Sequence, residues 1–374
     1  MEIQKWVGAI PMLLPDRHKP ASDEIIFIDV SKSRYLAPLN EDSTENDVIV
    51  NRKYLTQLFT KITANNNRVK YVLCDIQFDI STPDDSALIK SVSGLKDKFL
   101  SINTCDNDSL KKNILDLRSA TASFYLQQDA VYKIPFFGNY GDTLVPFKMF
   151  TDLDKGNIQK NFLFTWFSDK GISFNSQIND YPLRSSDFID GKYIKIGLGE
   201  LVSIMELTPE IFEQYLQNRF LLIGDFENDI HNTYLNTQQG TLILFNAYLH
   251  LYNNRQLLPV WYLIVFYIFI YCIVWLQAGK RSHNINIPLT IKYFEPLKIP
   301  INILSISTLL IIFSLISSLI FKVNISIFHL ILIFALVDLC ESIWNHLNKI
   351  YILSSIKSLI YFHPKMNILL GRKK

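Results

Sequence analysis

Four carboxylates, Asp75, Asp79, Asp84 and Asp85, fall within eleven residues. Paired carboxylates can hold a cation or pass a proton. The run Thr82-Pro83-Asp84-Asp85 also reads as a helix start, where acids meet the positive end of the helix dipole. Capping is the preferred reading, with Asp75 at the end of a strand facing that turn. A second group, Asp225, Glu227, Asp229 and His231, follows the apolar run 220–224. The loop at the carboxyl end of a parallel strand is where α/β folds place ligands. One His with three acids suggests a metal, but no second His stands nearby at ligand spacing, so no metal is assigned. The structural alternative is a hydrogen-bonded turn in which Asp229 and His231 fix the loop to Thr233. The ligand-binding candidates are thus Asp75, Asp84, Asp85, Asp225, Asp229, His231 and Thr233. Gly197-Leu198-Gly199 has neither the third Gly nor the Lys-Ser/Thr of a phosphate loop. No GxSxG, HExxH or CxxC occurs, so no catalytic residue and no cofactor are assigned.

These residues need a scaffold, and residues 22–256 are long enough to build one large domain. Residues 24–30 are a buried-strand candidate. Residues 52–64 place Tyr54, Leu55, Leu58, Phe59 and Ile62 at helical spacing. Strand character returns at 71–78, helix at 83–92 and strand at 99–103. This β-α-β-α-β order predicts an α/β fold with a mixed, largely parallel sheet and covering helices. Residues 106–200 are irregular, with short β-like runs such as 161–167. Thr208-Pro209-Glu210 opens a helix with a hydroxyl N-cap, Pro at the first position and an acid in the first turn. Residues 220–224 form a strand, and 241–252 read as an amphipathic helix. Cys74 and Cys105 lie in strand-like segments; a disulfide and two buried thiols fit the sequence equally well.

Charge is divided unevenly along the chain. Of the 37 Lys+Arg and 35 Asp+Glu, residues 278–374 hold 11 bases and 3 acids, a net +8 against −6 for residues 1–277. The basic part is also the apolar one. Residues 257–277, 299–321 and 325–345 are each long enough to span a bilayer, and the first two are uncharged. They predict a C-terminal bundle of three transmembrane helices, followed by a basic tail, 346–374, suited to an anionic membrane surface. Asp338 and Glu341, spaced i, i+3, are the polar residues of the third span, read as lying near its cytoplasmic end. With loop 278–298 and the tail inside, ten bases lie on the cytoplasmic side and one, Lys322, outside. Residues 1–256 are then extracytoplasmic, on a bacterial inner membrane. Residues 1–21 carry only a short apolar patch, so delivery of the domain calls for either a further membrane helix upstream of Met1, the preferred reading, or the opposite orientation.

The order of a strand ending at Asp29, a helix, YVLCDIQFD with Asp75, and acids at Asp84 and Asp85 resembles the first half of the CHASE type 2 extracytoplasmic sensory domain. The closing segment, RFLLIGDFENDIHNTYLNTQQGTLILFNAYL at 219–249, resembles that family more specifically. The shared features fall at Gly224, Asp229, His231, Thr233, Gly240, Asn246 and Ala247. The resemblance covers roughly residues 22–345 and implies an input module of a bacterial membrane receptor. Only 29 residues follow 345, so signalling would run through a cytoplasmic kinase, cyclase or regulator, or by oligomerising as a homodimer. The expected partners are the lipid bilayer and an extracytoplasmic ligand; no nucleic acid is expected. The expected function is sensing rather than catalysis, with a membrane-tethered hydrolase using Asp75, Asp229 and His231, or an envelope interaction protein, as alternatives.

Overall fold

In the computed structural model the chain falls into two compact units, and every described residue except Phe313 and Ser317 belongs to the first. The structure describes residues 19–271 apart from 39–45, 107–108, 128–129, 139–140, 155–157, 162–163, 168–169, 179–180, 234–235, 254–256 and 260, together with Phe313 and Ser317. The second and third predicted spans (those two residues aside), the end of the first span, Asp338, Glu341 and the basic tail therefore lie outside the described residues. Among the described residues no helix is long and apolar enough to cross a membrane.

The first half follows the expected alternation. Strand β1 (Ile25–Asp29) leads to a hairpin of β2 (Arg34–Pro38) and β3 (Asn46–Val50), then helix α1 (Arg52–Ala64). Strand β4 (Val69–Asp75), helix α2 (Asp85–Val92) and strand β5 (Phe99–Asp106) complete the unit. Short strands β6 (Ser109–Lys111) and β7 (Ser119–Ala122) pair with β5, antiparallel and parallel respectively. The irregular middle folds into small antiparallel pieces. Strands β8 (Tyr125–Gln127), β9 (Ala130–Pro135) and later β13 (Ser176–Ile178) make one three-stranded sheet. After helix α3 (Val145–Leu153), strands β10 (Ile158–Lys160), β11 (Phe164–Phe167) and β12 (Gly171–Phe174) make another. The short helix α4 (Ser186–Ile189) precedes β14 (Ile194–Gly197), α5 (Leu198–Leu207), α6 (Pro209–Leu216) and β15 (Arg219–Gly224). A hairpin of β16 (Ile230–Asn232) and β17 (Thr237–Gln239) runs straight into α7 (Gly240–Tyr252).

The principal sheet has the order β14-β1-β15-β4-β5, all parallel. Alternate residues of its central strands enter opposite cores, as the two-residue period of a strand requires. Ile26, Ile28, Val72, Cys74, Leu221 and Ile223 pack with α1, α2, α5 and α6. Ile25, Phe27, Tyr71, Leu73, Phe220 and Leu222 pack with α3 and α7. The result is a three-layer arrangement in which the middle strands are buried on both faces. Cys74, in the first core, is a free buried thiol. A partly buried network joins the second core to its rim: the Tyr71 hydroxyl donates to Asp152 at 2.7 Å, and Arg118 and Lys148 pair with the same carboxylate.

Helix α7 departs from the expected amphipathic pattern. Every residue from Gly240 to Leu251 is buried, so the helix has no wet face. The reason is its position: it packs on α3 and β15 while β9, β13 and the 181–183 segment cover its other sides. Its polar residues are consumed internally. The Asn246 amide accepts from Leu183 N and donates to Leu183 O, both at 2.9 Å. Thr208 also departs from expectation. Helix α6 does start at Pro209, but the Thr208 hydroxyl donates back to Ile204 O at 3.1 Å instead of capping α6.

Asn246→Ala leaves the peptide groups of Leu183 buried without partners, a loss of about 2–4 kcal/mol. Urea unfolding of the variant should show that drop in midpoint. A change below about 0.5 kcal/mol would mean water replaces the amide there.

Candidate functional site

The parallel register brings four strand ends to one level. Asp29 pairs with Gly197 of β14 on one side and Gly224 of β15 on the other, and Gly224 pairs with Asp75 of β4. The loops that leave these ends build the site. A cavity of about 340 Å³ opens here, its lining including Arg34, Arg52, Asp75, Asp79, Asp225 and Asp229. A second cavity of about 370 Å³ lies toward the sheet edge between Asn103 and Lys148 and holds none of the residues singled out from sequence.

Asp75 ends β4 and accepts a 2.7 Å hydrogen bond from the Thr241 hydroxyl in the first turn of α7. It does not face the 82–85 turn, as the sequence suggested. Gly224 makes the contact possible: a Cβ at that position would collide with Thr241 Oγ1 and sit 3.5 Å from the Asp75 Cβ. Gly240 does the same for Asp229, whose carboxylate occupies the space a Cβ would take. Asp229 in turn bonds His231 through Nε2 at 2.9 Å, and the imidazole stands edge-on to Phe124 with ring centroids 5.0 Å apart. Asp75, more than 150 positions away in sequence, thus comes close enough to the Asp229–His231 pair to feel both charges. Burial pushes the Asp75 carboxyl up to about 7, and the neighbouring Asp229 charge adds to it against the opposing Thr241 bond and His231. The hydrogen bond that His231 makes to the Asp229 carboxylate raises the imidazole above its ordinary value despite partial burial.

The other candidates serve the scaffold. Asp225 is buried, pairs with Arg34 and accepts from the backbone of Glu227 and Asn228 at 3.1 and 2.8 Å, an Asx-type turn. Thr233 is buried and exchanges hydrogen bonds with Asn236, closing the β16–β17 turn; it is not joined to Asp229 or His231 by any described bond. Asp84 precedes α2 without a side-chain capping bond. Asp85 does the capping in reverse: its carboxylate accepts from Thr82 N at 2.8 Å and Thr82 Oγ1 at 2.7 Å. Asp79 is exposed and pairs with Lys111 at 3.0 Å. Among the described residues no three His, Cys, Asp or Glu side chains are grouped so as to hold a metal.

Two residues escaped the sequence reading. Thr241 carried no signal beyond its place after a Gly at a helix start. Arg52 did carry one: a base at the first position of a helix opposes the dipole, and α1 has no acid in its first turn to offset it. Asp29, the neighbouring strand end, accepts from Ser31 N and Phe226 N at 3.0 and 3.3 Å, with Lys195 at 3.3 Å. Burial raises its carboxyl, but these contacts prevail and hold it below the usual carboxylate range.

Comparison of the chain with protein-family models, with curated proteins and with solved structures gives no match.

Two measurements probe that geometry. Gly224→Ala should destabilise the fold by about 1–3 kcal/mol, because the new Cβ displaces Thr241. Combined with Thr241→Ala, the two losses should fall short of additivity by at least about 0.5 kcal/mol, while full additivity would place the collision elsewhere. The pH dependence has a definite sign. Asp75 and His231 both bind protons more tightly in the folded chain, so both favour folding at low pH and lose that contribution as pH rises through their folded values. Melting temperature should therefore fall from about pH 5 to about pH 8, and less steeply in Asp75→Asn. An identical slope in that variant would remove Asp75 from the account.

Proposed function

We propose that residues 22–256 form a ligand-sensing domain, held at a bacterial inner membrane by three C-terminal helices, extracytoplasmic, and read out by a cytoplasmic partner. The observation that carries the reading is the cavity at the carboxyl ends of the parallel strands, where the Asp229 charge adds to the cost of ionising Asp75. Such a pair favours a bound proton or cation, which is the differential affinity that sensing needs. Support for the membrane anchor comes from residues 261–271, which are helical and leave Ile264, Tyr267, Ile268 and Tyr271 more than half exposed. A row of large apolar side chains facing outward suits lipid better than water. The likeness of segment 219–249 to CHASE type 2 domains points the same way, since its Asp229, His231 and Gly240 meet at this cavity or beside it.

A membrane-tethered hydrolase is the second reading. It is favoured by the Asp75 carboxyl near neutrality beside the Asp229–His231 pair, a combination suited to general acid and base work.

Cysteine labelling of the full chain in oriented vesicles tests the first reading. Asp190→Cys should react with an impermeant reagent from the extracytoplasmic side and Thr290→Cys only from the cytoplasmic side; the reverse result sinks the orientation. Asp229→Ala separates the two functions. A folded variant that loses turnover on a defined substrate supports the hydrolase, and one that loses only ligand-induced thermal stabilisation supports the sensor.

A further inference from the structure

We propose that the cavity takes a small zwitterion, a free amino acid in the simplest case, with Arg52 receiving the carboxylate and the Asp75–Asp229 pair the ammonium. The proposal rests on the ligand-sensing reading and narrows it to a ligand class.

Arg52 is the decisive residue. It is 1% exposed, yet among the described residues its Nε and Nη1 have no hydrogen-bond partner. Among the described residues its nearest acid is Asp85, an ion pair with 3.6 Å between Oδ1 and Nε that is too long for a hydrogen bond, and both oxygens of that carboxylate already accept from Thr82. The guanidinium lies over the Phe78 ring at 4.2 Å, which orients it without satisfying its donors. A buried cation with unfilled donors is costly, more so at the start of a helix, where the dipole already presents positive charge. Arg52 nevertheless lines the cavity. A carboxylate is the anion that matches a guanidinium fork with two parallel bonds.

The same cavity carries the opposite demand. Asp225 is paired with Arg34, and Asp79 with Lys111. Among the described residues, Asp75 has the Thr241 hydroxyl but no cation bonded to it, and the side chain of Asp229 bonds His231 alone. An ammonium set between Asp75 and Asp229 would relieve their mutual repulsion. One wall wanting an anion and another wanting a cation, inside about 340 Å³, describe a ligand that carries both charges a few bonds apart. Val30, Ile76 and Ile102 supply apolar lining for a side chain.

The test uses the full chain in detergent, titrated calorimetrically with each protein amino acid. The best binder is then compared with its decarboxylated amine and its deaminated acid. At least one amino acid should bind, and each single-charge analogue should bind more weakly by about tenfold or more. Arg52→Lys, which keeps the charge but loses the fork, should weaken the amino acid by about tenfold and leave the amine analogue unchanged. Asp75→Asn, nearly isosteric and still able to accept from Thr241, should weaken the amino acid and the amine but not the acid, and it serves if the Arg52 variant does not fold. An amine or an acid that binds as tightly as its parent overturns the zwitterion and leaves sensing intact. Failure of every amino acid to bind overturns the proposal as well; the vesicle labelling then decides separately whether the sensing domain stands.

Discussion

In the parallel register of β14, β1, β15 and β4, Gly197, Asp29, Gly224 and Asp75 lie in one row across the end of the sheet. Side chains alternate along each strand, so Asp29, Gly224 and Asp75 share the face that packs on α3 and α7. A one-residue slip in any strand would send its end residue to the other core. The middle position of the row holds the residue without a side chain, and the gap is filled from above by Thr241. The placement of α7, the Thr241–Asp75 bond and the close fit of Asp229 at Gly240 all follow from that row. The sheet register thus places Asp29 and Asp75 directly, while Asp225 and Asp229 sit on the loop that follows β15.

Much of this was legible in the chain. The alternation of apolar runs at two-residue and helical spacing located β1, α1, β4, α2 and β5, because these elements have simple surroundings: strands covered on both faces and helices covered on one. The acid-rich loop after β15 was legible for a different reason. A Gly ending an apolar strand, followed by polar residues, marks the place where a parallel sheet stops and a loop begins. Asp85 was read correctly as a helix-start residue, and its bonds to Thr82 give that reading its mechanism.

The rest was hidden because it depends on what packs against a segment and not on the segment itself. Helix α7 contains Asn246 and His250, one turn apart, which look like a polar face until the neighbouring elements bury the whole helix. The partner of Asp75 is 166 positions away in sequence, and no local rule connects the two. The Thr208 hydroxyl had two backbone groups within reach, and the preceding helix claimed it. Arg52 was the instructive omission: its position against the helix dipole was readable, and only its depth of burial turned that oddity into a statement about what the cavity lacks.

Helix α7 has one more property that follows from being enclosed on all sides. A helix with a wet face can roll, bend or fray toward solvent at small cost. One sealed from Gly240 to Leu251 has no soft direction, since any rotation drives side chains into a packed neighbour. Its accessible motions are whole-body steps between alternative packings. Its first turn carries the hydroxyl that holds Asp75, and its far end leads on toward the apolar helix at 261–271. A shift of a few tenths of an ångström at Thr241 would therefore be carried along the length of α7 with little damping, as by a connecting rod.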